Sequence, residues 1–164
     1  MDLGIVSDTH DNLDVVEAAV DVFAGSVDIV VHCGDIVAPF AATPFDADFD
    51  FYAVRGNNDG EWALRETVES FGTYFGEFGE LELDGCSIAF YHGTSLELVD
   101  ALVRSGTYDY VCHGHTHEQV HEASNGTVRL NPGGIPIDVD ADAEPPAAVI
   151  LDTDSGAVDF HDLR

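Results

Sequence analysis

The sequence contains no lysine, and its 5 basic residues are all arginines. No apolar run approaches the roughly 20 residues that a membrane-spanning helix needs, and the N-terminus lacks the basic and long apolar segments of a signal peptide. Without a basic patch, the surface cannot displace counterions from a nucleic-acid backbone, so we expect no binding to duplex nucleic acid. We therefore expect a cytoplasmic protein with no membrane partner.

Cysteine is also scarce. The chain has 3 cysteines, an odd number, and none of them forms a C-x-x-C pair. Cys33 and Cys112 lie within apolar, strand-like runs, where a thiol packs as a small hydrophobic side chain. This usage argues against a disulfide framework and favours a reducing compartment.

Acidic residues dominate the charge: 32 of them give the chain a formal net charge of -27. They are dispersed along the chain, while hydrophobic residues still make up 45% of it. Such a composition and length predict one domain spanning residues 1–164. Because like charges repel one another and salt screens the repulsion, this acidity is typical of proteins from salt-accumulating halophilic organisms. It leaves association into a homo-oligomer open.

A short polar stretch, Ser7–His10, follows the apolar run Leu3–Val6, which is typical of a buried strand. Asp8 and His10 lie two residues apart, so on an extended chain their side chains would point to the same side. A carboxylate oxygen beside an imidazole nitrogen is a pair of ligands suited to a transition metal. By itself the stretch fits a helix cap and an ordinary loop equally well.

A helix and a second strand follow. Asn12 can cap a helix whose apolar residues recur at helical spacing as far as Gly25, and Ile29–His32 forms the next buried strand. A strand, a helix and a strand at this spacing predict two parallel neighbouring strands. Asp35 would then emerge beside Asp8 at the carboxyl edge of the sheet, where α/β proteins place their ligands.

Apolar periodicity and turn residues predict the rest of the chain. The Gly56–Gly60 segment after the third strand is a tight loop, and a plain turn explains it as well as a functional loop does. The predicted segments are an irregular, partly helical connection at 38–48, strands at 50–54, 74–83, 87–91, 108–112, 120–123, 128–130, 147–151 and 157–160, helices at 61–71 and 96–104, and a mobile acidic loop at 138–146.

Oxygen and nitrogen donors recur just past the ends of the predicted strands. They are Asp8, His10, Asp35, Asn57, His92, His115 and His117. A single histidine is usually an ordinary core or surface residue, but this ordered set suits two divalent transition-metal ions that keep positions open for water and substrate. Since only two of the ligands are anionic, the loaded centre would carry positive charge and attract phosphate. His32 and His113 fall outside the pattern, and we expect them to be structural or to support the ligands without binding metal.

The motifs D-x-H, G-D, G-N-x-D, H and G-H-x-H, in this order, resemble the signature of the calcineurin-like metallophosphoesterase superfamily. The segment 56–61 is similar to that of its small prokaryotic phosphodiesterase branch. The resemblance covers essentially the whole chain. It implies an α/β fold, a four-layer α-β-β-α sandwich of two mixed sheets with a dinuclear metal site at one edge.

The resemblance also implies the ligands of each ion. Asp35 would bridge the two ions, of which Mn²⁺ is the expected kind and Ni²⁺, Fe²⁺, Co²⁺ or Zn²⁺ the alternatives. One ion would be held by Asp8, His10, Asp35 and His117, and the other by Asp35, Asn57, His92 and His115.

The chain departs from the family pattern at Asn58, where many members have a histidine that assists the leaving group. An amide has no proton to give near neutral pH, and general acid catalysis is worth about 10²–10⁴-fold. Asp59, which orients that histidine in relatives, loses this role. Together with Asp35 and Asn57, these residues form the expected catalytic set.

The resemblance implies a phosphodiesterase that uses a metal-bridging hydroxide on a small phosphodiester substrate. An alternative from another class is a non-catalytic interaction scaffold, because a subunit of the retromer coat has a similar fold with an altered metal site. Intact donors at all seven positions favour the enzyme. Phosphomonoesterase and nuclease activity are further alternatives, the latter disfavoured by the acidic surface.

Overall fold

The computed structural model describes residues 1–60, 62–136 and 144–164. The α-helices in these ranges are Leu13–Phe23 (α1), Pro39–Ala42 (α2), Ala63–Glu69 (α3) and Leu96–Ser105 (α4), and a 3-10 helix spans Thr43–Phe45. The strands are Asp2–Val6 (β1), Ile29–His32 (β2), Asp50–Val54 (β3), Thr73–Gly76 (β4), Phe78–Leu83 (β5), Cys86–Tyr91 (β6), Tyr110–Cys112 (β7), Gln119–Ser124 (β8), Thr127–Pro132 (β9), Ala147–Asp152 (β10) and Val158–Asp162 (β11).

The first sheet has six strands in the order β11-β10-β1-β2-β3-β4. Strands β1 to β4 are parallel, as predicted for β1 and β2, and β10 adds antiparallel to β1. Helix α1 begins where predicted, because the Asn12 side chain accepts the N–H of Val15 at 3.3 Å. It ends before Gly25, which has a left-handed φ of 67°. The parallel order brings the loops after β1, β2 and β3 to one edge.

The second sheet has five strands in the order β5-β6-β7-β9-β8. Its parallel centre, β6-β7-β9, is flanked by the two antiparallel strands β5 and β8. Each outer strand belongs to a predicted hairpin, with turns at Asp84–Gly85 and Asn125–Gly126. All four turn residues have positive φ, which is the backbone that two-residue hairpins favour.

The prediction of one strand at 74–83 is wrong. Strand β4 pairs with β3 in the first sheet, whereas β5 pairs with β6 in the second. The chain turns at Gly76, whose φ is 81°, so one apolar run supplies edge strands to both sheets. Helix α3 is shorter than the predicted 61–71, and β7 begins two residues later than predicted. Most of the predicted acidic loop at 138–146 lies outside the described residues.

Alternating side chains on the strands produce three apolar cores. Helices α1 and α3 cover one face of the first sheet, where Phe23 and Phe51 are buried. The facing sides of the two sheets pack together through residues such as Ile5 and Phe90. Helix α4 buries Val99 against the outer face of the second sheet. These layers confirm the predicted α-β-β-α sandwich with two mixed sheets.

Cys33 and Cys112 are fully buried in the core between the sheets, as predicted for small hydrophobic side chains.

No helix in the described ranges combines the length and the apolar character that crossing a bilayer requires.

Candidate metal centre

The loops after the strands place the expected ligands on an unusual backbone. The ligand residues with left-handed φ are Asp8 (53°), His10 (42°), Asp35 (58°), His115 (69°) and His117 (59°). This conformation costs about 1–3 kcal/mol for each non-glycine residue, and it clusters at functional sites. Asp8 and His10 therefore converge through a tight loop, not along the extended chain that we predicted. The loop is fastened to its neighbour, since the N–H of His10 donates to the Asp35 carbonyl at 3.1 Å.

One group of donors consists of Asp8, His10 and His117, whose ligand atoms all lie within 4.8 Å of one another. Asp8 Oδ1 lies 3.8 Å from His10 Nε2 and 3.5 Å from His117 Nε2. The rings of His10 and His117 stack with their centroids 5.1 Å apart. Two loops from different sheets thus aim two imidazoles at one buried carboxylate.

A second group consists of Asp8, Asp35 and His92. Asp35 Oδ2 lies 3.4 Å from His92 Nε2 and 3.6 Å from His10 Nε2, so it stands between the two groups. Asp8 Oδ1 belongs to both groups as well, at 4.0 Å from His92 Nε2. The His115 ring lies beside His92, with its centroid 5.2 Å from that of His92. The structure thus brings the donors Asp8, Asp35 and His92 together, and it leaves His115 outside this group.

When His92 is neutral, its tautomer leaves a lone pair directed into the site. Its Nδ1 lies 2.8 Å from the Cys33 carbonyl oxygen, which can only accept, so Nδ1 carries the proton. Nε2 then faces Asn57 Oδ1 at 3.0 Å. The imidazole nitrogen and the amide oxygen thus form a pair of ligand atoms that one cation can share. The Nδ1 of His117 is likewise bonded to the carbonyl of Ile135, which is the usual outer contact of a metal-bound histidine.

Two buried atoms at the centre have no hydrogen-bond partner among the described residues: Asp8 Oδ1 and His10 Nε2. Burying a carboxylate oxygen without a partner costs several kcal/mol, on the order of 2–7 for a polar group. The other oxygen of Asp8 is satisfied by the Ser7 hydroxyl at 2.6 Å and the His115 N–H at 2.9 Å. The residues present therefore fit a divalent cation at this point.

The charges of the site favour a cation too. Burial alone would raise the pKa of Asp35, but protonated His92 and the hydrogen bonds from Asn58 hold that pKa well below its usual range. Burial would also raise the pKa of Asp8, but His10, His92, Ser7 and His117 together lower it. The Asp8 carboxylate raises the pKa of His10, and the carboxylates raise that of His92 against the effect of burial. In the metal-free protein, His10 and His92 therefore take up protons more readily than a free imidazole does.

Asn58 contacts the central carboxylate directly. Its backbone N–H donates to Asp35 Oδ1 at 2.8 Å, and its side-chain Nδ2 donates to Asp35 Oδ2 at 2.7 Å. Asn58 thus fixes both oxygens of Asp35, including the one that lies between His10 and His92. Its position in the sequence indicated a lost acid function and a possible donor to a phosphoryl oxygen, but not this contact with Asp35.

Asp59 has a different role from the one that its family position suggests. It is buried, with 5% of its surface exposed. Its carboxylate accepts three backbone N–H groups, from Val37 at 2.7 Å, Gly56 at 2.7 Å and Asp35 at 3.1 Å. Asp59 therefore joins the loop that carries Asp35 to the loop that carries Asn57.

Close backbone packing supports the two carboxylates. A Cβ added at Gly56 would overlap Asp35 Oδ1, and one added at Gly114 would overlap the Ser7 hydroxyl and Asp8 Oδ2. Sequence reasoning missed Ser7 as a support for Asp8. The glycine that begins each of the motifs G-N-x-D and G-H-x-H was the available signal.

His32 and His113 are buried outside the donor groups. His32 bonds the Thr9 hydroxyl at 3.1 Å and the Gly34 N–H at 3.2 Å, and burial lowers its pKa to about 3. His113 bonds the Gly114 carbonyl at 2.9 Å and Arg129 at 2.9 Å, and burial lowers its pKa to about 4. Both rings are therefore neutral and tie loops together, as predicted.

A model of the calcineurin-like phosphoesterase superfamily domain matches residues 1–156. Phosphodiesterase MJ0936 from Methanocaldococcus jannaschii is 36% identical over 138 residues, covering 81% of this chain and 83% of the relative. Probable metallophosphoesterase YsnB from Bacillus subtilis is 26% identical over 172 residues, covering 99% of this chain and 91% of the relative.

Solved structures share the fold. An archaeal phosphodiesterase superposes with a TM-score of 0.90 at 32% identity, covering 99% of both chains. Vps29 from Chaetomium thermophilum superposes with a TM-score of 0.73 at 14% identity, covering 98% of this chain and 96% of its own. The second likeness concerns the fold alone.

Proposed function

The chain belongs to the calcineurin-like phosphoesterase superfamily, and we propose that it is a metal-dependent phosphodiesterase. The observation that carries the proposal is the buried pair Asp8 Oδ1 and His10 Nε2, which lie 3.8 Å apart without a hydrogen-bond partner among the described residues. A shared cation would satisfy both atoms. The relative from Methanocaldococcus jannaschii and the archaeal structure are described as phosphodiesterases, which supports this reaction class.

The proposed ligands are those that the family resemblance implies. Mn²⁺ is the ion we propose, with Ni²⁺, Fe²⁺, Co²⁺ and Zn²⁺ as alternatives, because the donors are carboxylate, amide and imidazole without thiolate. When bound, such ions polarise a phosphoryl oxygen and lower the pKa of a water molecule toward neutrality. One ion is assigned to Asp8, His10, Asp35 and His117, and the other to Asp35, Asn57, His92 and His115.

The protein's own groups orient the ligands and set the charge. Asp35, fixed by the two N–H groups of Asn58, stands between His10 and His92 and supports the proposed bridging role. Two divalent ions would bring four positive charges, and among the ligands only Asp8 and Asp35 are anionic. The positive charge of the loaded centre would therefore exceed its negative charge by two. On a chain of net charge -27, this centre would attract a phosphate group.

The choice of a diester over a monoester follows from Asn58. Its amide cannot release a proton near neutral pH, so help to the leaving group, worth about 10²–10⁴-fold, is absent at this position. One Nδ2 hydrogen binds Asp35, and the other can donate to a phosphoryl oxygen. We therefore propose diesters with good leaving groups as substrates, with Asn57 and Asn58 acting beside Asp35 as the catalytic set and Asp59 positioning their loops.

An interaction scaffold is the weaker proposal. The gathered donors and the buried atoms of Asp8 and His10 without a hydrogen-bond partner are costly to keep in a protein that binds no cation.

The donors come from loops of both sheets, which supports a single domain spanning residues 1–164. The acidic surface supports a cytoplasmic enzyme that works at high salt on a small diester and not on duplex nucleic acid.

A panel of activated aryl diesters, alkyl diesters and monoesters, assayed with Mn²⁺, Ni²⁺, Mg²⁺ and Zn²⁺ at high salt, tests the function. We expect the aryl diester to be cleaved fastest and the metal-free protein to be inactive. Asp35→Asn is the matched variant, since it removes the bridging charge and keeps the shape. Equal turnover by Asp35→Asn and the wild type would contradict the proposal.

A further inference from the structure

Asn131 is a buried polar residue that none of the ligand motifs includes. It lies near the end of β9, and 0% of its surface is exposed to solvent. Burying a side-chain amide is costly unless its N–H and C=O groups are hydrogen-bonded. The contacts of this amide therefore indicate why a polar residue occupies the position.

The Asn131 amide joins two separate segments of the chain. Its Nδ2 donates to the Gly114 carbonyl at 3.1 Å and to the Thr116 hydroxyl at 3.0 Å, while its Oδ1 accepts the Gly133 N–H at 2.9 Å. A carbonyl oxygen only accepts and a backbone N–H only donates, so these partners fix the orientation of the amide. They also require a donor and an acceptor in one short side chain, which asparagine supplies and an ionised aspartate does not.

Both segments hold proposed metal ligands. The two Nδ2 contacts lie on either side of His115, and the second of them directly precedes His117. The other segment continues to Ile135, whose N–H donates to the Asp8 carbonyl at 3.2 Å and whose carbonyl binds His117 Nδ1. The amide therefore connects the turn that carries two histidines to the segment that orients one of them.

The turn at residues 114–117 has an unfavourable backbone. His115 has a φ of 69° and His117 a φ of 59°, and such conformations persist only where surrounding contacts enforce them. One of these contacts comes from the metal centre, where the His115 N–H donates to Asp8 Oδ2 at 2.9 Å. Asn131 supplies two more from β9. Removing the amide would therefore favour relaxation of both histidines toward ordinary backbone conformations.

We propose that Asn131 is a positioning residue for His115 and His117, and that it holds them in the backbone conformation that the metal ions need. The inference rests on the proposed function, because both histidines are proposed ligands there. Asn131 itself stays outside the ligand set, since its Nδ2 is bonded to the turn and its Oδ1 to Gly133. Its loss should therefore weaken metal binding beyond any effect on the stability of the fold.

Titration calorimetry of the metal-free protein with Mn²⁺ at high salt tests the inference without turnover. In Asn131→Ala we expect the Mn²⁺ affinity to fall about 10–100-fold, the usual effect of losing an outer contact to a ligand. Thr116→Val is the milder variant, since it removes one of the three hydrogen bonds and keeps the shape of the side chain. For this variant we expect a fall of about 2–10-fold, which corresponds to one neutral hydrogen bond.

Thr127→Val is the matched control. Thr127 lies at the other end of β9, is buried, and loses a comparable bond, from its hydroxyl to the Tyr108 carbonyl at 2.7 Å. We expect this variant to lower Tm and to keep the wild-type Mn²⁺ affinity. Since Thr116→Val makes the same chemical change, the pair decides the question even where Asn131→Ala does not fold. Wild-type affinity in Thr116→Val or in folded Asn131→Ala, or an equal loss in Thr127→Val, would overturn the inference.

Visible absorption of bound Co²⁺ provides a second readout, because its bands depend on the geometry of the ligands. We expect the Co²⁺-saturated spectrum of Asn131→Ala to differ from that of the wild type and the spectrum of Thr127→Val to match it. An unchanged spectrum in Asn131→Ala would show that the histidines keep their positions and would overturn the inference.

The two proposals fail in different ways. If the wild type hydrolyses diesters and Asn131→Ala binds Mn²⁺ as the wild type does, the positioning role is wrong and the phosphodiesterase stands. If Asn131→Ala binds Mn²⁺ more weakly and no metal supports hydrolysis of any diester by the wild type, the phosphodiesterase is wrong and the positioning role stands. A wild type that binds neither Mn²⁺ nor Co²⁺ would overturn both.

Discussion

The carboxylate of Asp59 accepts the backbone N–H of Val37 at 2.7 Å, and Val37 is held at a φ of 87°. This left-handed conformation is a genuine outlier for a β-branched residue. Such strain persists only where surrounding contacts enforce it. Asp59 supplies these contacts, since it also binds the N–H groups of Asp35 and Gly56. A residue two positions from a proposed ligand therefore sets the geometry of two donor loops.

The first prediction is that Asp59→Asn loosens these loops. The amide group presents hydrogens to N–H donors, and losing one bond to a charged acceptor costs about 1.5–3 kcal/mol. We expect the free energy of unfolding to fall by this amount in denaturant melts, and the Mn²⁺ affinity to fall about 10–100-fold in titrations, the usual effect of removing an outer contact. Asp48→Asn, at an exposed position, is the control. Unchanged Mn²⁺ affinity would show that Asp59 does not position the donors.

The second prediction concerns Asn58. We expect Asn58→His to increase the hydrolysis of esters with poor leaving groups about 10-fold or more, and of activated aryl esters much less, because a ring proton becomes available. Asn58→Ala separates the loss of the contact with Asp35 from the gain of an acid, since it removes that side-chain contact and supplies no proton. The measurement is kcat/KM across a series of leaving groups at fixed metal and salt. Equal gains across the series would show that residue 58 does not occupy the place of the acid.

The third prediction is that pH affects the metal-free and the loaded protein in opposite ways. The carboxylates raise the pKa of His10 and His92, so their stabilisation is fully present below about pH 6.5 and is lost as the pH rises through the raised values. The lowered pKa of Asp8 and Asp35 contributes stability above about pH 4 that is lost on acidification.

Metal ions need unprotonated histidines, so their stabilisation grows as the pH rises. Thermal melts between about pH 5 and pH 9, with a chelator and with Mn²⁺, measure both dependences. We expect Tm to fall with increasing pH above about 6.5 in the chelator and the difference in Tm between the two samples to widen. Two parallel curves would contradict the assignment of these histidines.

The fourth prediction is a strong dependence on salt. The Debye length shrinks from about 10 Å at 0.1 M to about 3 Å at 1 M, so KCl should weaken the repulsion within a chain of net charge -27. We expect Tm to rise steadily from dilute buffer to molar KCl. A neutral osmolyte at the same osmolality is the control, because it does not screen charge. A flat or falling Tm would remove the halophilic interpretation and leave the metal centre untouched.

The sequence predicted the fold wherever local signals and tertiary contacts agree. Asn12 and Gly25 bound α1 because the cap and the left-handed glycine act locally. The residues of β4 and β5 both favour a strand, so the sequence at 74–83 looks like one continuous strand. Nothing local shows that its halves pair with different partners, β3 and β6.

The candidate site was predictable as a set of residues but not as a geometry. Motif spacing placed Asp8, Asp35 and His92 at strand ends. Parallel pairing of β1 with β2 brings Asp8 beside Asp35, and the packing of the two sheets brings His92 to both. The left-handed loops and the three N–H groups on Asp59 depend on how two loops meet, and no single segment encodes that. The family resemblance implies that Asp59 orients a histidine, and this chain lacks that histidine. The resemblance therefore gave no indication that Asp59 binds backbone N–H groups.

The most direct test of the central claim is the rate of hydrolysis of an activated aryl diester measured against the number of Mn²⁺ ions bound per chain. We predict no activity without metal and a plateau at about two ions per chain, the number that a two-metal site requires. Asp35→Asn should bind fewer ions and remain inactive at every ratio. Full activity without bound metal, or tight binding of two ions with no hydrolysis of any diester, would contradict the account.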